Sequence, residues 1–132
     1  MKKIDIEEIS KSEYCIGKTR IILCDNTIIH VTVDGDQTDE IAMVTKDLCL
    51  RLFKLVDVKI NFLIDLNRCG KNSRRARLAW NELSENGKCN KVAIFGLNPV
   101  ARLIASFVIG FSSEKNQRFF MTEKEARAWI AD

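Results

Sequence analysis

Residues able to do chemistry are sparse in this chain, and their spacing excludes more than it suggests. His30 is the only histidine, and five cysteines stand at positions 15, 24, 49, 69 and 89. A metal site takes its thiolates in close pairs, because one tight turn must aim two ligands at the same ion. Here the cysteines are odd in number, far apart and never spaced Cys-x-x-Cys, which predicts neither a metal site nor a disulfide framework. Cys24 and Cys49 fall on apolar periodic positions and read as small buried hydrophobes. His30 lies mid-strand with no serine or cysteine nucleophile on a recognisable elbow, so it reads as a surface or hydrogen-bonded residue rather than a base. Gly96-Leu97-Asn98 lacks the glycine patterns that cradle nucleotide phosphates. These residues predict no catalytic group and no cofactor.

Two polar constellations remain. The first is Asn72, Ser73, Arg74, Arg75 and Arg77, at the expected start of a helix. A helix N-terminus has unpaired N–H groups and a partial positive charge. Arginines there are locally unfavourable, whereas an anion or an acidic partner would gain from the dipole, the N–H groups and the guanidinium forks together. The alternative is a solvated face. The second constellation is Asp65, Asn67, Arg68 and Asn98. Asp65 lies near the carboxyl end of a central strand, the edge where open α/β sheets bind ligands; it could equally cap or salt-bridge a neighbouring loop.

The elements that must position these groups alternate along the chain. Thr19–Cys24 and Thr27–Val33 are β-branched runs separated by Asp25-Asn26, which predicts a hairpin with a two-residue turn. Asp34 to Asp39 reads as a polar loop. Ile41, Val44, Leu48, Leu52 and Leu55 recur at helical spacing over 39–56. Ile60–Leu66 is apolar on both sides except at Asn61, as in a central strand covered on both faces. In the helix that follows, Ala76, Ala79, Trp80 and Leu83 form a buried stripe, and Gly87 suits its stop. Lys91–Gly96 is another strand. Asn98 as cap and Pro99 at the first position begin an apolar helix over 99–111. Arg118–Met121 is a short strand, and Thr122-x-x-Glu125 is a capping box for a last helix that buries Ala126, Trp129 and Ile130. The sum is an α/β mixed sheet of about five strands with an N-terminal antiparallel hairpin and four helices.

With 46% hydrophobic and 30% charged residues among 132, the chain has the balance of one ordinary soluble domain. Residues 1–18 read as a charged lead-in with a short strand near Tyr14, and 19–132 as the domain. The net charge of +3 does not call for a nucleic-acid partner, and Phe119, Phe120 and Trp129 read as core rather than as a stacking platform. The N-terminus is too charged for a signal peptide, and the longest apolar run, Val100–Phe111, is too short to span a bilayer. A cytoplasmic protein is expected.

The ordered set Phe62-Leu-Ile-Asp-Leu66, Ser73-Arg-Arg-Ala-Arg77, Val92-Ala-Ile-Phe-Gly96, Asn98-Pro-Val-Ala-Arg102 and Arg118-Phe-Phe-Met-Thr-Glu-Lys-Glu-Ala-Arg-Ala-Trp-Ile130 resembles the STAS domains (sulphate transporter and anti-sigma-factor antagonist). It is more similar still to the SpoIIAA-like, STAS/SEC14-like bacterial proteins. The resemblance covers roughly residues 19–131. It implies a STAS-like sandwich and a non-enzymatic regulatory or partner-binding role, as in anti-sigma-factor-antagonist signalling. The alternative it leaves open is a carrier of an apolar or lipid-like small ligand. Anti-sigma-factor antagonists carry a phosphorylatable serine at the start of the helix after the central strand. The matching residue here is Ser73, preceded by Asn72 and followed by arginines without the usual Ser-Gly, a departure that points to the SpoIIAA-like branch. The expected partner is a protein or a small anionic or apolar ligand, and the relatives, with the amount of apolar residue in one small domain, lead us to expect a homodimer.

Overall fold

Parallel strands need helical crossovers, and successive right-handed crossovers running the same way across a sheet put their helices on one face. That rule organises this chain. The computed structural model describes residues 4–25, 27–96 and 116–132. Its sheet has seven strands in sequential order: β1 Ile6–Ser10, β2 Glu13–Ile16, β3 Thr19–Cys24, β4 Ile28–Gln37, β5 Ile60–Asn72, β6 Cys89–Phe95 and β7 Gln117–Phe120. Strands β1 to β4 form an antiparallel meander, and β4 to β7 are parallel. Helix α1 (Asp39–Phe53) crosses from β4 to β5, α2 (Arg74–Glu85) from β5 to β6, and α3 (Glu123–Ala131) follows β7. These are the three helices among the described residues. The expected helix over 99–111, with Asn98 at its start, lies outside them.

The sheet is therefore wider than the five strands expected. The charged lead-in supplies two of the seven. Tyr14 and Ile16 on β2 alternate inward and are buried, and β1 pairs along the outer edge with every residue exposed. The hairpin turn is also longer than two residues, since Cys24 faces Ile28, with Asp25 in the left-handed region (φ 53°). Helix α1 stops at Phe53, short of the expected end, where Lys54 and Leu55 N–H groups bond three residues back; Leu55 is left exposed.

The largest departure is in β4 and β5. Expected to end near Val33 and Leu66, they run on together to Gln37 and Asn72. Two ladder irregularities, at Thr32/Asp34 and at Gly35/Gln37, absorb the mismatch, and Gly35 takes φ 82° in the second. Gly70 is needed for close approach: a Cβ there would sit 2.2 Å from Asp36 Oδ1, the oxygen that accepts the Lys71 N–H at 2.8 Å.

One sheet face packs on α1 and α2. Ile29, Val31, Phe62 and Ile64 meet Leu48, Leu52 and Leu83 there, and Phe62 sits edge-on to both Phe53 and Trp80, with ring centroids 5.7 Å apart in each case. The opposite face packs Leu63, Ala93 and Phe95 against Ala126 and Ile130 of α3. Lys91 fastens that helix: Nζ donates to the Trp129 and Asp132 carbonyl oxygens at 2.8 Å and lies 5.1 Å from the Trp129 ring. Trp80 and Trp129 are partly buried and pack at the rims of these two cores.

Candidate functional site

The extension of β4 and β5 decides where the candidate residues meet. Gln37 and Asn72 are the last ladder pair, and the Ser73 N–H still bonds the Gln37 carbonyl at 3.0 Å. Each strand passes directly into a helix, so α1 and α2 begin side by side. Thr38 caps α1 by accepting the Ile41 N–H at 3.3 Å. Ser73 caps α2 by accepting the Ala76 N–H at 3.0 Å; the preceding Asn72 directs its amide nitrogen to Cys69 Sγ at 3.7 Å.

The two starts differ in charge. The first turn of α1 carries Asp39 and Glu40, which suit the dipole. The first turn of α2 carries no acid and opens with Arg74 and Arg75, both exposed. Arg77 stands apart from them: Nη1 donates to the Asn72 carbonyl at 3.0 Å, tying the chain before the cap to the second turn of the helix. Between the two starts lies an open concavity of about 550 Å³, lined by Asp36, Thr38, Asp39, Glu40, Lys71 and Ser73 among others. Sequence reasoning singled out Asn72, Ser73 and the arginines and missed Asp36, Asp39, Glu40 and Lys71 as neighbours of Asn72 and Ser73. The one available signal was the repeated strand-then-cap pattern ending at Thr38 and Ser73, since adjacent parallel units must align their helix starts.

The second constellation is elsewhere. Asp65 pairs with Thr32 on one side and with Phe95, the last residue of β6, on the other. Its Oδ1 accepts from the Asn67 N–H at 2.9 Å and from Asn67 Nδ2 at 3.0 Å, which is a local turn-like engagement. Arg68 is exposed and only loosely paired, 3.9 Å from Asp34 Oδ2. Asn98 lies outside the described residues. Ser73 follows Asp65 by eight residues, roughly 25 Å along an extended chain, so the two constellations do not form one site.

The remaining titratable groups behave as buried structure. Burial pushes the Cys69 thiol up to about 11 and the Cys89 thiol up to about 12, and raises fully buried Cys49 well above the ordinary thiol range. None is a thiolate nucleophile at neutral pH. Burial lowers His30, against the opposing pull of Glu123 and Asp65. No cluster of three or more His, Cys, Asp or Glu with metal-binding geometry occurs among the described residues, and no helix among them is long and apolar enough to cross a membrane.

An apolar void lies between the sheet and α2, lined by Phe62, Ile64, Trp80, Ile94, Asn72 and Gln117 among others. Its volume is about 20 Å³, room for about one water molecule. The buried Gln117 amide and Asn72 Oδ1 find no protein partner there.

Comparison with known proteins agrees with this architecture. No curated protein matches the sequence. An uncharacterized protein with a SpoIIAA-like fold from Shewanella loihica superposes with a TM-score of 0.60 at 18% identity, over 97% of this chain and 92% of that one. The anti-sigma factor antagonist SpoIIAA in its unphosphorylated form superposes with a TM-score of 0.58 at 9% identity, over 98% of each chain. At these identities the likeness is one of fold. The SpoIIAA-like family model matches residues 28–131, from the start of β4 to the end of α3; the chain belongs to the SpoIIAA-like family.

Proposed function

We propose that this protein is a non-enzymatic, cytoplasmic regulatory module that docks a protein partner at the paired starts of α1 and α2. The observation that carries the reading is the charge division of that crest between two adjacent helix starts: the first turn of α1 carries Asp39 and Glu40, that of α2 carries Arg74 and Arg75, and Asp36, Lys71 and Ser73 line the concavity between them. A small anion gains little there, because Asp36, Asp39 and Glu40 line the same concavity and oppose negative charge. A protein surface presenting both signs gains on both halves, and such complementarity sets orientation and partner choice. The shared fold with an anti-sigma factor antagonist supports a signalling role. Ser73 adds a means of control: a phosphate on its hydroxyl would bring negative charge to a concavity that already holds Asp36, Asp39 and Glu40, and so change the charge pattern a partner meets. The carrier alternative rests on the apolar run over 99–111, outside the described residues; the void between the sheet and α2, at about 20 Å³, does not by itself hold an acyl chain.

Arg74→Glu with Arg75→Glu tests the reading. Immobilised wild-type protein should capture a defined partner from lysate of the source cell, and the double variant should lose it. Its thermal stability should be equal or slightly higher, since acids at a helix N-terminus contribute about 0.3–1 kcal/mol each. Normal capture by the double variant, or its unfolding, would show that the arginines are a solvated face or structural ion pairs.

A further inference from the structure

The outer side of the α1–α2 pair carries a second feature, which shares only Arg75 with the crest. On α1, Met43, Lys46, Asp47 and Leu50 stand at i, i+3, i+4 and i+7, and on α2, Arg75, Ala79 and Glu82 stand at i, i+4 and i+7. These residues line one groove of about 450 Å³. Met43 forms part of its apolar floor and is 51% exposed, a large apolar side chain open to a partner. Two positive and two negative groups rim the groove, so it has no net sign to offer a purely acidic or purely basic partner. Within the protomer Lys46 and Glu82 pair across it at 2.5 Å. Asp47 and Arg75 make no ion pair among the described residues.

We infer that this groove is a self-association surface that takes the same groove of a second copy. A two-fold interface requires both members of each complementary contact on one patch, so that residue i meets j and j meets i. An apolar floor with one unpaired acid and one unpaired base meets that requirement: Met43 packs between the helices of the opposite copy, while Asp47 of each protomer reaches Arg75 of the other. The helices are 15 and 12 residues long, which gives a two-helix footprint of about 20 by 20 Å. That is below the roughly 800 Å² per partner of a stable complex, so the dimer is a weak one whose population depends on concentration in the micromolar to millimolar range.

Sedimentation of the full chain across that range tests the inference. Wild type should pass from a 15.1 kDa species toward twice that mass, and Met43→Asp should remain monomeric. Asp47→Arg alone and Arg75→Asp alone should each remain monomeric, because each opposes like charges twice across the two-fold axis. An equimolar mixture of the two should form a heterodimer, because both pairs are then restored. Circular dichroism establishes that each variant is folded. A wild type that stays monomeric overturns the inference, as do single variants that dimerise like wild type or a mixture of folded variants that fails to associate. The result is separable from the crest reading, since Asp47→Arg leaves Arg74 and the acidic half of the crest in place and should still capture the protein partner.

Discussion

At the scale of single residues, His30 shows how position in the sheet overrides side-chain type. It lies on β4 opposite Ile22 of β3 and Leu63 of β5, half-buried, with Nε2 lacking a partner. Burial is the main reason its pKa falls; Glu123 and Asp65 pull upward, and Arg127 and Arg20 reinforce the fall. A histidine whose folded-state pKa lies below its unfolded value leaves the unfolded chain binding the extra proton first. Stability is thus complete above the unfolded value of about 6.5 and is lost as pH falls from there through the folded value. Urea titrations below about pH 6.5 should show a falling midpoint, and His30→Gln should flatten that part of the profile. An unchanged slope in the variant would mean that other groups carry the acid sensitivity.

At the scale of elements, α3 illustrates attachment without deep burial. It is nine residues long, too short to persist by propensity alone. Thr122 caps its start, accepting the Glu125 N–H at 3.3 Å, and Lys91 satisfies carbonyls at its end. Trp129 lies against Phe120 with ring centroids 5.7 Å apart and between the cations of Lys91 and Arg118. Because the indole is only half-buried, Trp129→Ala should cost about 2 kcal/mol, below the roughly 3–5 kcal/mol of a fully buried aromatic. Chemical denaturation measures the loss. A variant as stable as wild type would mean that Ala126 and Ile130 alone hold the helix.

At the scale of the whole molecule, the meander is unequal in what it contributes. β1 is exposed throughout, with Ile6 and Ile9 about half-exposed, whereas Ile16 on β2 is 3% exposed in the main core. Removing residues 1–10 should therefore shift the melting temperature little, while Ile16→Ala should cost about 2–5 kcal/mol. Thermal melts of the two variants distinguish the alternatives: a truncation as damaging as Ile16→Ala would show that β1 protects the β2 edge rather than decorating it.

What the sequence determined by itself was local. β-branched runs at Thr19–Cys24 and Thr27–Val33, the apolar Ile60–Leu66, the helix start near Ser73 and the cap at Thr122 were legible because their signals lie within a few residues, where side-chain period and capping chemistry act. Ordered along the chain, they also carried the family resemblance. What only the tertiary structure decided involves partners distant in sequence. Asp34 to Gln37 has the composition of a loop, and becomes strand because β5 offers it a parallel ladder and Gly70 lets Asp36 approach. The same extension separates Asp65 from the start of α2 and sets Asp36, Asp39 and Glu40 beside Lys71 and Ser73, though these residues are more than thirty positions apart. It also turns Arg77 toward the Asn72 carbonyl. Strand length and register are set by pairing energy between remote segments, to which no local periodicity refers, so the charge division of the crest came into view only once β4 and β5 were aligned.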